Sequence, residues 1–242
     1  MKYGNVAVLD DCEQARTLAL ALGLPTTGSK SDYELVLRYE CGVLSLCLGE
    51  MKLFGDFSET GKRLKKSNLK TEALIKACRI KGESGFLVVD ATAGLGEDSF
   101  LLAADGFSIE MFEYNPLISA LLENAMERGK NEGYRNILER MTLHFENSIT
   151  ALKGLEYAPD IVYLDPMFPK RQKSSLIKKK FQVLWHLEEP CVDEEELLNA
   201  AISANPIKIV IKRPLKADSL AGYKPSYSIK GSTIRYDCIV LR

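Results

Sequence analysis

From Gly85 onward, apolar runs alternate with helical stretches along the chain. Leu87-Val88-Val89 is continuously apolar, as expected of a strand covered on both faces of a parallel sheet. A helix is predicted over 97–104, a strand over 108–113, a helix over 116–128 and a strand over 141–145. A short helix at 148–152, a strand at 160–164, a helix at 194–203 and a strand at 208–211 continue the alternation. The last strands, 227–230 and 234–241, have no helix between them and read as an antiparallel hairpin. The expected fold is α/β: a doubly wound, largely parallel sheet of seven strands that ends in this hairpin.

Residues 1–82 follow a different rhythm and are expected to form a small α+β amino-terminal portion, with 83–242 as the main domain. A strand is predicted at 6–9 and a helix at 13–22, closed by Gly23 and Pro25. Strands at 33–39 and 43–48 flank Glu40-Cys41-Gly42 as a hairpin. Leu69, Ala73, Leu74, Ala77 and Cys78 recur at helical spacing, so this portion hands a helix over 69–80 to the main fold.

Composition narrows the class. Among 242 residues, 46% are hydrophobic and 27% charged, as in a soluble globular protein. No apolar run approaches the ~20 residues that cross a bilayer, and Met1-Lys2-Tyr3-Gly4 does not open an apolar secretion signal. No membrane partner and a cytoplasmic location are therefore expected. Six scattered cysteines without a C-x-x-C pair, and only two histidines, are poor material for zinc or a disulfide framework. No metal site is expected, and most cysteines read as small buried apolar residues. The net charge of −1 conceals basic runs at Lys62-Arg63-Leu64-Lys65-Lys66, Lys170-Arg171-Gln172-Lys173 and Lys178-Lys179-Lys180, offset by Asp193-Glu194-Glu195-Glu196. A basic run is most often a solvated face, but one beside a candidate site points to a phosphate-bearing partner.

The candidate site begins where the first main-domain strand meets Asp90-Ala91-Thr92-Ala93-Gly94-Leu95-Gly96-Glu97-Asp98. A strand, a Gly-x-Gly turn and a helix amino terminus in series make a nucleotide-type cofactor site. A dinucleotide fingerprint needs a third small residue, Gly or Ala, where this chain has Ser99. Asp90 would also repel a pyrophosphate. S-adenosylmethionine carries a sulfonium and an amino group, so Asp-x-x-x-Gly-x-Gly suits it better. Glu113 closes the second strand and is placed to accept hydrogen bonds from ribose hydroxyls. Asn147 and Ser148 follow the third strand, where side chains reach an adenine ring. With this cofactor the fold becomes the Rossmann-like, class I methyltransferase variant. His144, Trp185 and His186 read as packed structural residues.

The fourth strand ends in Asp165-Pro166-Met167-Phe168-Pro169, at the sheet edge where ligands bind. An exocyclic amine on a base is a poor nucleophile because its lone pair is delocalised into the ring. Asp165 and the Pro166 carbonyl can accept its hydrogens, localise that lone pair and aim it at a methyl group. Phe168 can stack on the base. These three residues are the catalytic candidates.

Asp90 to Gly96, Glu113-x-Asn115-Pro116, Ser148-Ile149-Thr150-Ala151-Leu152 and Tyr163 to Pro169 resemble the RsmJ family of bacterial small-subunit ribosomal RNA guanine-N2 methyltransferases. The basic loop 170–179 and Val210-Ile211-Lys212-Arg213-Pro214 also look like that family. The resemblance implies S-adenosylmethionine contacts at Glu97, Asp98, Glu113, Tyr114, Asn147, Ser148 and Asp165, beside Asp90, Gly94 and Gly96. It implies 16S ribosomal RNA, or the small subunit, as partner, with Lys170, Arg171, Lys173, Lys178, Lys179 and Lys180 on its phosphates. Glu97 and Tyr114 stand where the family usually carries arginines. Methylation of adenine N6 or of a protein glutamine stays open on the residues alone, as does a non-catalytic RNA-binding assembly factor with a relic pocket.

Overall fold

The computed structural model describes residues 5–29, 32–64, 69–81, 85–166 and 193–242. The chain opens with β1 (Val6–Leu9), α1 (Glu13–Leu22), β2 (Thr26–Thr27), β3 (Leu35–Glu40), β4 (Val43–Leu48) and β5 (Met51–Leu53). These strands form one sheet in the order β2-β1-β3-β4-β5. Glu40 pairs with Val43, which leaves Cys41 and Gly42 as a two-residue turn with φ of 50° and 79°. Positive φ at both positions is the type I′ geometry that matches the strands' twist.

Next come α2 (Ser58–Gly61) and α3 (Ala73–Cys78). The helix predicted over 69–80 is shorter than expected, because Glu72 at ψ 128° and Arg79 at ψ 137° leave the helical region at its two ends. The Glu72 carboxylate accepts from Arg63 Nε at 3.0 Å and Nη2 at 2.6 Å. As the spacing predicts, α3 packs into the main core, with Leu74, Ile75, Ala77 and Cys78 against Val210 and Cys238. Lys208 Nζ ties its end down, donating to the Ala77 and Arg79 carbonyls at 2.6 and 2.8 Å. The short β2 and β5 went unanticipated, since two or three residues show no period.

The main sheet uses β6 (Leu87–Asp90), β7 (Ser108–Phe112), β8 (Met141–His144), β9 (Ile161–Leu164), β10 (Lys208–Pro214), β11 (Tyr227–Lys230) and β12 (Ile234–Val240). Their order is β11-β12-β10-β9-β6-β7-β8. β6 to β10 run parallel, while β12 is antiparallel to β10 and β11 to β12. The helices between them are α4 (Glu97–Ala104), α5 (Pro116–Gly129), α6 (Arg135–Leu138), α7 (Ser148–Gly154) and α8 (Glu194–Ser203).

Strand alternation sorts side chains onto two faces. Val88, Ile161, Tyr163 and Val210 join one core with Phe100 and Leu101 of α4, while Val89, Val162, Leu164 and Ile211 join another with Leu152 of α7 and Leu197 of α8. Helix α5 serves two sheets. Leu122 and Ala125 face the main core, and Leu117, Ile118 and Leu121 pack with Val6, Leu35, Leu37 and Leu44 of the first sheet. Leu95, between the two glycines of the turn, is buried in that second group.

The chain leaves β6 for β7 and β8 on one side, then crosses back to β9 on the other. The carboxyl ends of β6 and β9 therefore flank the topological switch point, where open α/β sheets bind ligands.

Candidate active site

The glycine turn is held by the acid that precedes it. Asp90 is 1% exposed, and its Oδ2 accepts from Ser99 Oγ at 2.6 Å while Oδ1 accepts from Thr92 N at 3.0 Å. Burial pushes its carboxyl up to about 6, against the pull of those hydrogen bonds. Gly94 and Gly96 take φ of 54° and 72°, a region that side chains disfavour. A Cβ on Gly96 would meet Leu122 Cδ1 at 2.7 Å, whereas one on Gly94 would find only the Thr92 carbonyl, at 3.9 Å. The space beside Gly94 is thus open.

Glu113 follows β7 and is buried. Its Oε2 accepts from Gly94 N at 3.0 Å and its Oε1 from Asn115 N at 2.8 Å. The acid expected to meet a ribose also fastens the glycine turn to the next strand. Asn115 caps α5 through Leu117 N, at 3.0 Å, and Tyr114 is 49% exposed. Asn147 is exposed and caps α7, its Oδ1 accepting from Ile149 N at 2.9 Å and Thr150 N at 3.3 Å. Ser148 opens that helix, half-buried. Glu97 opens α4, in its first turn.

Asp165 leaves β9 beside this turn. Its N–H donates to Thr92 Oγ1 at 2.7 Å, and Ala91 N donates to the Tyr163 carbonyl at 3.1 Å, stitching the two strand ends together. One lysine then joins two of the acids. Lys212 Nζ donates to Asp98 Oδ2 at 2.7 Å and to Asp165 Oδ2 at 2.8 Å. Tyr163 OH donates to the same Asp98 oxygen at 2.6 Å. Burial works to raise the Asp98 carboxyl, but Lys212 and Tyr163 outweigh it and hold it below its ordinary value. Burial and the Asp98 charge lift Asp165 above its ordinary value despite Lys212. Burial disfavours the Lys212 ammonium, yet the two carboxylates hold it well above the usual lysine range.

Asp90, Gly94, Gly96, Asp98, Glu113, Asp165 and Pro166 thus lie along one edge of the sheet, around the switch point. Phe168, Lys170, Arg171, Lys173, Lys178, Lys179, Lys180, Trp185 and His186 lie outside the described residues. Sequence reasoning gave no role to Lys212, Tyr163, Thr92 or Ser99. The available signal was Lys212, a charge following Val210-Ile211 at the carboxyl end of a buried strand. His144 is partly exposed, paired with Glu110 and stacked on Phe112 at 4.8 Å between ring centroids. In the basic run at 62–66, Lys62 pairs with Glu59 and Arg63 with Glu72. The acidic run opens α8, where Asp193 accepts from Glu196 N at 2.7 Å and Glu194 pairs with Arg213 at 3.0 Å. No cluster able to hold a metal ion is found among the described residues.

Residues 18–241 match the family model for SAM-dependent methyltransferases. A ribosomal RNA small subunit methyltransferase J from Thioalkalivibrio sulfidiphilus is 38% identical over 237 residues, covering 94% of this chain and 93% of that protein. The protein of the same name from Tolumonas auensis is 38% identical, with 99% of each chain covered. The crystal structure of a SAM-dependent methyltransferase from Neisseria gonorrhoeae matches with a TM-score of 0.76 at 30% identity, over 97% of this chain and 95% of that one. The donor set fits the cofactor, with carboxylates for a sulfonium, an amino group and ribose hydroxyls, and an open glycine turn for close approach. The cofactor is S-adenosylmethionine, and this chain belongs to the ribosomal RNA small subunit methyltransferase J family of S-adenosylmethionine-dependent methyltransferases.

Proposed function

We propose that this enzyme methylates the exocyclic N2 amine of a guanine in 16S ribosomal RNA, in the cytoplasm. The observation that carries the reading is Asp165. Its backbone N–H is fixed by Thr92 and its Oδ2 by Lys212, and Oδ1 makes no hydrogen bond among the described residues. That oxygen stands at the switch point as an acceptor for one amine hydrogen, and the Pro166 carbonyl serves the other. Pro166 has no N–H to compete. S-adenosylmethionine supplies an electrophilic methyl group on a sulfonium.

Asp98, Glu113, Asn147 and Ser148 would hold that group along the carboxyl ends of β6, β7 and β8. Asp165 draws on the amine hydrogens, so the nitrogen lone pair points at the methyl. When bound, S-adenosylmethionine would supply the methyl to the nitrogen, with sulfur keeping the electron pair of the broken C–S bond, and the amine would shed its extra proton to water. Positioning is the main catalytic contribution in such a displacement. Phe168 would stack on the base. Lys170, Arg171, Lys173 and Lys178 to Lys180 would engage phosphates, which set affinity and register more than base choice. The RNA substrate is supported by the names of relatives from Thioalkalivibrio sulfidiphilus and Tolumonas auensis.

Mass-spectrometric nucleoside analysis of 16S RNA from a deletion strain tests this. Loss of N2-methylguanosine, restored by the intact gene, is expected. An unchanged nucleoside profile refutes it.

A further inference from the structure

Lys212 sits between the acid expected to contact the cofactor and the acid expected to contact the substrate, within hydrogen-bond reach of each. We propose that Lys212 is a positioning residue that keeps Asp165 ionised, and so an acceptor, while fixing the rotamer that leaves Oδ1 for the amine. The proposal rests on the reading of Asp165 as the amine acceptor. A protonated Asp165 would present a donor to an N–H group and lose its function.

The surroundings favour that proton. Asp98 from α4 and Asp90 from β6 are like charges, and Tyr163 from β9 and Tyr236 from β12 are neutral phenols that bring no positive charge. Burial acts in the same direction. Arg63 faces Asp98 but spends its fork on Glu72. Among the described residues, Lys212 is the cation hydrogen-bonded to Asp165. It stands on β10, in register with Tyr236 of β12.

The test is a carbon-13 NMR titration of the aspartate carboxyls, with the Asp165 signal assigned by its loss in Asp165→Asn. It needs no RNA, so its outcome is separate from that of the nucleoside analysis. In Lys212→Met the Asp165 midpoint should rise by about one pH unit or more, and Lys212→Arg should largely restore it. Asp98→Asn, which removes a like charge and releases Lys212, should move the midpoint down. The pH profile of methyl transfer should follow. Lys212→Met should lose about tenfold in the acid limb for each pH unit by which the midpoint rises, and regain activity in alkali. An unmoved midpoint in Lys212→Met, or a loss of activity uniform across pH, overturns the proposal. If Lys212→Met does not fold, Lys212→Gln, which keeps a hydrogen-bond donor but removes the charge, decides: a raised midpoint supports the role and an unmoved one overturns it.

Discussion

Ser99 Oγ lies 2.6 Å from Asp90 Oδ2 and donates to a carboxylate that is 1% exposed. The residue that argued against a dinucleotide site is therefore the partner that keeps a buried acid satisfied. Ser99→Ala should cost about 1–3 kcal/mol at neutral pH, because the ionised Asp90 loses a buried donor. The sign with pH follows from the Asp90 carboxyl, raised to about 6 from an ordinary 3.8. Between those values the folded state holds a proton that the unfolded state has released, so stability falls as pH rises through the window. Relative to Asp90→Asn, the parent should lose on the order of 3 kcal/mol between pH 4 and pH 7. Ser99→Ala raises Asp90 further, so its penalty should be larger at pH 8 than at pH 5. Urea unfolding at a series of pH values reads both effects.

Gly96→Ala should destabilise the chain by roughly 1–3 kcal/mol. Its φ of 72° disfavours a side chain, and the new Cβ would press on Leu122 at 2.7 Å. Thermal unfolding with and without S-adenosylmethionine checks this. An unchanged melting temperature would count against the close approach of Leu122 to the turn.

Glu113→Gln should weaken S-adenosylmethionine binding by about tenfold to a hundredfold while the fold persists. The carboxylate accepts from Gly94 N and Asn115 N with different oxygens, and an amide turns one of those acceptors into a donor. Calorimetric titration with the cofactor measures the loss.

Asp165→Ala should lower methyl transfer by roughly a hundredfold or more, with cofactor affinity within a few-fold of the parent. Asp165→Asn keeps one acceptor oxygen and should fall between. Single-turnover assays on the RNA, paired with calorimetry, separate the chemical step from binding.

Much of this was legible in the chain. The uninterrupted apolar run at Leu87-Val88-Val89 marks the strand that the sheet covers on both sides, and Asp90, Glu113 and Asp165 mark three strand ends. Strand topology turns those positions into one site, which is why the acids could be grouped from sequence. Lys212 and Tyr163 escaped because their partners lie far along the chain: Asp98 is 114 residues from Lys212 and 65 from Tyr163. Local pattern carries no trace of such a pairing. Asn147 and Asn115 as helix caps are, in contrast, local hydrogen bonds of a recognisable type.

Leu95, between the two glycines of the turn, has its side chain buried with the first sheet, so the turn and that sheet share one core. Cofactor binding at the turn should therefore stabilise the first sheet as well. A ligand that binds only the folded chain, at a hundredfold excess over its dissociation constant, stabilises the fold by about 2.7 kcal/mol. Hydrogen exchange in β3 and β4 should slow when S-adenosylmethionine is added, as well as exchange around the glycine turn. Cut away at residue 83, the remaining chain would leave Leu117, Ile118 and Leu121 uncovered, together with Leu95 itself. Loss of that cover should weaken S-adenosylmethionine binding to the shortened chain.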